Sequence, residues 1–340
     1  MAARERRSRG FPGVSSWGLQ IPLAKEPRRQ EDAHVAGAPG DSRRGDPSRG
    51  PLGGAGGSAA VVRLWPRRDV ALRNGSQRRV GRKEAPVNAF RLDGKAALVT
   101  GGASGIGKAV SLALADAGAS VAVHYFSSAE GARDVVETIQ RRGGRAVAIQ
   151  ADLKLSAEAD RVVSEAVRAL GALDILVNNA GHLVQRCAVA DMSDELFRTI
   201  MDVNMTSAFA MSRAALRHML PRRSGSIINM SSAAAFTGGG TNATVYATSK
   251  AAIVGFTRGL AKEVGGRGIR VNAVAPGQIA TQFHERFGTP EGRAQTVRTI
   301  PLGREGKAED VATVVVFLAS SAADFVAGEV MAVNGGMLFH

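Results

Sequence analysis

From residue 90 onward the chain alternates short apolar runs with amphipathic stretches, and that alternation leaves few folds open. The apolar runs are Ala96-Ala97-Leu98-Val99, Val121-Ala122-Val123, Ala146-Val147-Ala148-Ile149, Leu173-Asp174-Ile175-Leu176-Val177, Ser226-Ile227-Ile228-Asn229, Ile269-Arg270-Val271-Asn272-Ala273-Val274 and Val330-Met331-Ala332-Val333. Helical patterns fill the gaps, among them one ending at Ala117 before Gly118, one ending at Arg142 before Gly143-Gly144, one with Ser156 as its expected N-cap, and 193–220, 246–264 and 307–319. Strands joined through helices run parallel, with right-handed crossovers and both sheet faces covered. The expected fold is α/β, a doubly wound parallel seven-stranded sheet with helices on both faces, in a single domain over residues 89–340. Ligands of such sheets sit beyond the carboxyl ends of the strands, near the topological switch point, so the residues just after each strand are the candidates for chemistry.

The N-terminal part reads differently. Residues 1–90 hold 18 Lys/Arg against 8 Asp/Glu, whereas residues 91–340 hold 26 against 22. The first part also carries 8 of the 12 prolines and the cluster Gly53-Gly54-Ala55-Gly56-Gly57, with no apolar period to bury. Residues 1–88 are expected to be a disordered basic segment or to lie outside the native product, with a compact start near Val87. Glu31, Asp32, Asp41 and Asp46 weigh against an organellar transit peptide. Clustered charge alone is a weak nucleic-acid signal, so no nucleic-acid partner is expected. No apolar run approaches the roughly 20 residues that cross a bilayer, so no membrane partner is expected. The one cysteine, Cys187, has no internal disulfide partner, which points to a reducing compartment, the cytoplasm. Histidines at 34, 124, 182, 218, 284 and 340 show no ligand spacing, so no metal is expected.

Two constellations carry chemistry. Thr100-Gly101-Gly102-Ala103-Ser104-Gly105-Ile106-Gly107 directly follows the first strand and opens the first helix. Glycines there permit a tight turn and let backbone N–H groups approach a pyrophosphate at a helix N-terminus. Tyr246 and Lys250 lie one turn apart on one helical face. A phenol ionises near pH ~10, and an adjacent ammonium is expected to lower that value toward useful acid/base behaviour. Ser231-Ser232 ends the fifth strand, and Ser232 is placed to bond a substrate carbonyl.

These motifs, with Asp152 after the third strand, Asn178-Asn179-Ala180-Gly181 after the fourth, Asn204 in the next helix and Pro276-Gly277 followed by Thr281, resemble the short-chain dehydrogenase/reductase family over residues 92–337. The branch that the sequence resembles most is that of 3-oxoacyl-ACP reductases and glucose dehydrogenases. The resemblance implies a Rossmann-type sheet and catalysis by Asn204, Ser232, Tyr246 and Lys250. It implies cofactor contacts from Gly101, Ser104, Gly105, Ile106, Gly107, Tyr125, Ser127, Asp152, Leu153, Asn178, Ala180, Gly181, Tyr246, Lys250, Pro276, Gly277, Ile279 and Thr281. It also implies a homo-oligomer, a tetramer by analogy.

The cofactor is expected to be NADP, with NAD as the alternative. Where an acid would bind the ribose hydroxyl and repel a 2′-phosphate, the second strand ends in neutral Tyr125, and Ser127 and Ser128 add donors. Against this stand Ser104 and Phe126, where NADP-binding members often carry a base; His124 is either a phosphate partner or structural. The expected reaction is hydride transfer between a nicotinamide and a ketone or secondary alcohol, of the 3-oxoacyl-ACP reductase type. Sugar, polyol and steroid dehydrogenases are the alternatives, and a non-catalytic dinucleotide-binding protein is a further one. The substrate is expected against segments 181–190, 233–245 and 282–300, with Phe236, Phe283, His284 and Phe287 as an apolar wall.

Overall fold

The computed structural model describes residues 89–339, so the expectations placed on the basic segment 1–88 lie outside the described residues. In chain order the elements are β1 (Ala96–Val99), α1 (Gly105–Asp116), β2 (Ser120–Tyr125), α2 (Ala129–Arg141), β3 (Ala146–Gln150), α3 (Ser156–Leu170), β4 (Ile175–Asn178), α4 (Asp194–Met201), α5 (Ser207–Arg222), β5 (Gly225–Met230), α6 (Ala234–Thr237), α7 (Thr244–Val264), β6 (Ile269–Pro276), α8 (Gln282–Phe287), α9 (Pro290–Val297), α10 (Ala308–Ala319) and β7 (Val330–Val333). The strands form one parallel sheet in the order β3-β2-β1-β4-β5-β6-β7, the expected doubly wound arrangement. The order reverses between β1 and β4, and their connections leave on opposite faces, which opens a crevice at that edge.

Period-two alternation builds the two cores. Ala97 and Val99 of β1 face one side with Val121, Val123, Ile175 and Val177, covered by Val110, Leu114, Val135, Ile139, Val311 and Val315 from α1, α2 and α10. Leu98 faces the other side with Ala122, Leu176, Ile227 and Val271, covered by Val162, Val163, Met211, Met219 and Leu260 from α3, α5 and α7. Both sets are fully or nearly fully buried, as continuous apolar strands require.

Two local expectations need correction. Ser156 is the first residue of α3 rather than its N-cap, because a turn closed by Leu155 N–H on the Asp152 carbonyl makes extended Leu155 the capping residue. The Ser156 hydroxyl instead accepts from Arg213 Nη2 at 3.1 Å. The continuous helix expected over 193–220 is interrupted by a π-helical turn, Asp202–Thr206, which separates α4 from α5.

At the amino edge of the sheet, buried Asp174 accepts the Ala96 N–H at 2.9 Å and pairs with Arg222, fastening β1, β4 and the end of α5. Asp174→Ala strands a buried donor and removes the partner of a guanidinium. It should lower the unfolding free energy by about 1–3 kcal/mol, the range for a stranded buried donor, read from urea transitions, and Arg222→Met should cost at least as much because it leaves the buried carboxylate without its cation.

Candidate active site

The glycine turn is closed by contacts that leave no room for side chains. Gly101 and Gly105 have φ of 61° and 50°. A Cβ at Gly107 would run into the Gly101 carbonyl oxygen and the Asn179 amide. Asn179 Nδ2 donates to the carbonyls of Thr100 and Gly101 at 2.9 and 3.1 Å. Thr100 Oγ1 in turn accepts the N–H groups of Asn179 and Ala180, both at 2.9 Å. Ser111 Oγ, one turn into α1, donates to the Gly107 carbonyl at 2.9 Å.

On the β2 side, His124 is 2% exposed; its Nδ1 accepts the Gly101 N–H at 3.1 Å and its Nε2 donates to the Ala151 carbonyl at 3.2 Å. A peptide N–H only donates, so the proton sits on Nε2, and burial pushes the imidazole down to about 4. Of the two expectations for His124, the structural one holds.

The remaining cofactor candidates gather along the same edge. Ser104 is the exposed N-cap of α1, whose first turn carries no acid, so the helix N-terminus keeps its positive end. Thr281 stands across the crevice, since a Cβ on Gly105 would lie 3.7 Å from its methyl group. Gly277 donates its N–H to the Val333 carbonyl at 2.9 Å, and a Cβ there would press on Asn334, so only glycine lets β7 approach. Tyr125 is half-buried and Ser127 exposed at the end of β2, both neutral. Asp152 accepts the Lys154 N–H at 3.1 Å. Leu153, Ile279 and Pro276 are buried, so Leu153 and Ile279 offer their backbone rather than their side chains.

Asn178 could meet a cofactor only through its backbone. Its carboxamide points into the core, donating to Ser212 Oγ at 2.9 Å and Asn229 Oδ1 at 2.8 Å. It braces β4 against α5 and β5, and the neighbouring Asn179 is the residue that serves the glycine turn.

The catalytic candidates converge at the ends of β4 and β5. Lys250 is buried; its Nζ donates to the Met230 carbonyl at 2.9 Å and lies 5.8 Å from the Tyr246 ring centroid. Ser231 Oγ donates to the Lys250 carbonyl at 2.8 Å, which leaves Ser232 as the serine beside Tyr246. Asn204, in the π-helical turn, donates to the carbonyls of Ile200 and His182 and accepts the His182 N–H. Its carboxamide is therefore fully used as a clamp on the β4 loop. A Cβ on Gly181 would lie 2.7 Å from Asn204 Oδ1 and 2.8 Å from Lys250 Nζ, so glycine is what lets that loop reach the lysine.

The electrostatics differ from the simple expectation. Burial, and not the lysine, dominates the phenol: it pushes Tyr246 up to about 12, with the Ser232 side chain pulling the other way. The same burial pulls the Lys250 ammonium down to about 8. Both groups therefore resist charge individually.

The side expected to meet the substrate is aromatic. The Phe283 ring lies 5.8 Å from Tyr246, 5.1 Å from Phe287 and 5.3 Å from His284, and Phe287 lies 5.1 Å from His182. The expected insertion 282–300 holds α8 and α9, and α8 supplies this wall. Phe236 instead packs toward the cluster of Val254, Ala273 and Ala275 on the sheet. Arg186, which no sequence pattern signals, donates to the carbonyls of Phe287 at 3.1 Å and Thr241 at 2.6 Å, joining the β4, β5 and β6 loops. Asn179 was legible within Asn178-Asn179-Ala180-Gly181, but its role was not. Among the described residues no cluster of three metal-ligating side chains occurs, and no helix is long and apolar enough to cross a membrane.

Comparison with known proteins agrees with the fold. The sequence profile described as enoyl-(acyl carrier protein) reductase matches residues 101–338. A 3-oxoacyl-[acyl-carrier-protein] reductase of Staphylococcus aureus is 40% identical over 243 residues, covering 72% of this chain and 98% of the relative. A 7α-hydroxysteroid dehydrogenase, solved with NADH and 7-oxoglycochenodeoxycholic acid, superposes with a TM-score of 0.70 at 38% identity, over 73% of this chain and 96% of that one. A short-chain dehydrogenase from Burkholderia cenocepacia, solved with NADP, superposes with a TM-score of 0.67 at 37% identity, over 73% and 99% of the two chains.

The buried lysine has a measurable consequence. Lys250 binds its proton more weakly in the folded protein, about 8, than in the unfolded chain, where lysine ionises near ~10.4. Between those values the unfolded state binds more protons, so this residue's contribution to stability rises with pH over that window. In the cofactor-free protein, the stability of the wild type relative to Lys250→Met should therefore rise from pH 7.5 to pH 10, read from paired urea transitions.

Proposed function

The chain belongs to the short-chain dehydrogenase/reductase family and is an NAD(P)-dependent oxidoreductase, and from that premise we propose that it is an NADPH-dependent ketone reductase of the 3-oxoacyl-thioester type. The observation that carries this reading is the phenol of Tyr246, held between Ser232 and Lys250 at the carboxyl edge of the sheet. A phenol that keeps its proton at neutral pH is an acid in waiting, which suits carbonyl reduction better than alcohol oxidation. Tyr246 Oη gives its proton to the substrate oxygen, and Ser232 Oγ bonds that same oxygen as negative charge develops on it. The Lys250 ammonium compensates the phenolate so formed and holds the nicotinamide ribose. Asn204 fixes the loop that carries Gly181 against the lysine.

The cradle fits a dinucleotide, because its glycines admit backbone where a Cβ would clash and its helix N-terminus is free of acids. Gly101, Ser104, Gly105, Ile106 and Gly107 would hold the pyrophosphate, Asp152 and Leu153 the adenine, and Tyr125 and Ser127 the ribose 2′ position. Ala180, Gly181, Pro276, Gly277, Ile279 and Thr281 would flank the nicotinamide side. When bound, the nicotinamide supplies the hydride. Neutral Tyr125 and Ser127 support NADP over NAD because nothing there repels a 2′-phosphate. The proposal extends to a catalytic domain over 89–340, and to a cytoplasmic homotetramer that has neither nucleic-acid nor membrane partners. A ketosteroid is the second reading for the substrate, favoured by the Phe283 and Phe287 wall and the similarity to the bile-acid enzyme.

The purified protein should oxidise NADPH in the presence of an acetoacetyl thioester, with kcat/KM at least tenfold higher than for NADH. Tyr246→Phe should reduce turnover by about 10²–10⁴-fold, the range of a lost general acid, while the Kd for NADPH measured by fluorescence stays within about threefold. Turnover that survives the substitution would remove the mechanism.

A further inference from the structure

The β4 loop holds a histidine that the chemistry above does not use. The His182 backbone is clamped on both sides by Asn204, with its N–H given to Oδ1 at 3.1 Å and its carbonyl taking Nδ2 at 2.8 Å. Its ring is fixed as well, because Nδ1 accepts the Val184 N–H at 2.8 Å. The next turn, closed by Gln185 N–H on the Leu183 carbonyl, centres on Val184 with φ of 65°, a left-handed conformation that a β-branched residue rarely adopts. Such strain persists where the surroundings impose it, and it gathers at functional loops.

With Nδ1 occupied as an acceptor, the ring proton is on Nε2. Among the described residues no acceptor is bonded to that Nε2–H. Burial and the nearby Arg286 charge hold the imidazole below its usual range, so it stays neutral at pH 7 and the donor is retained. The ring is half-buried, edge-on to Phe287 in the same aromatic wall that reaches Tyr246 through Phe283. An oriented donor with no protein acceptor, set beside Phe287 and Phe283, is how a site selects a substrate for one further polar atom.

We propose that His182 determines substrate class, its Nε2–H donating to a second oxygen that the substrate carries beyond the carbonyl being reduced, such as the ester or thioester carbonyl of a β-keto acyl compound. The proposal rests on the ketone-reductase reading and narrows it, because a simple ketone offers no such acceptor.

The test uses the full chain with NADPH and a matched pair of substrates, ethyl acetoacetate and 2-pentanone. His182→Asn keeps an acceptor near the Nδ1 position but cannot reach as Nε2 does, whereas His182→Gln restores an amide donor at about that reach. His182→Asn should raise KM for ethyl acetoacetate about tenfold, the loss of one hydrogen bond, with kcat nearly unchanged. His182→Gln should stay within about threefold of wild type, and neither variant should alter KM for 2-pentanone. Equal changes on both ketones, or a His182→Asn enzyme with wild-type KM for the keto ester, would overturn the proposal. If the wild type reduces neither ketone, the reductase reading fails on its own. His182 is then judged by ¹⁵N NMR of histidine-labelled protein loaded with NADP, its signal assigned by loss in His182→Gln. Ethyl acetoacetate should move the Nε2 resonance and 2-pentanone should not, and an Nε2 resonance indifferent to both overturns the proposal.

Discussion

The site depends on how the carboxyl ends of β1 and β4 are tied where the strand order reverses. The chain leaves these two neighbours toward opposite faces, so their last peptide groups have no continuing ladder. Thr100 and Asn179 take up that deficit together: one hydroxyl accepts two N–H groups from the β4 loop, and one carboxamide donates to two carbonyls of the β1 turn. His124 performs the equivalent service from β2 by accepting the Gly101 N–H. Glycines lose the most conformational entropy on ordering. A turn with glycine at 101, 102, 105 and 107 therefore holds one shape only because side chains of both flanking strands fix it. Two polar ties and a neutral, buried imidazole make the nucleotide cradle part of the sheet and not a loop above it.

Burial then sets the chemistry at the other end of the crevice. It raises the phenol and lowers the ammonium to about 8, so at neutral pH the phenol keeps its proton and the lysine keeps its charge by a narrow margin. A phenolate and an ammonium formed side by side offset each other's desolvation, which neither does alone. The favoured resting state is thus a protonated tyrosine beside a lysine whose charge burial has weakened. In the proposed reduction, proton transfer to a substrate oxygen creates the negative charge that the lysine meets. Ser232 is the neighbour whose hydrogen bond eases ionisation of the phenol, against the burial that raises it.

What the sequence made legible was whatever has a period or a required residue type. Seven apolar runs became seven parallel strands, and the glycine turn and the Tyr246/Lys250 pair lie where strand-end logic puts them. Illegible was which of two adjacent asparagines faces the turn. Asn178 is the last residue of β4 and Asn179 the first beyond it, so period-two alternation turns Asn178 into the core. The register that decides this comes from pairing with β1 and β5, which a single strand does not contain. Likewise Ser156 has the right chemistry for a cap but loses the position to Leu155, because the preceding turn is closed by Asp152 backbone. The expectation that Lys250 would lower the Tyr246 phenol failed for a related reason: helical spacing gives proximity, while burial is a property of everything packed around the pair.

The two halves of the crevice are therefore specified by different means. Backbone geometry builds the proposed nucleotide half, through glycines whose replacement meets carbonyls and main chain, so little variation in it is compatible with the fold. Side chains on three strand-end loops build the substrate half, and Arg186 joins those loops through carbonyls that any residue at 287 and 241 would supply. Because it binds main chain, Arg186 fixes the separation of the loops without dictating what their side chains are. Phe283, Phe287 and His182 can then change identity while Tyr246, Ser232 and Lys250 stay in register with the sheet. A scaffold divided in this way separates the part that binds through main chain from the part whose side chains meet the substrate, and the relatives at similar identity carry names for both acyl-carrier-protein and steroid substrates.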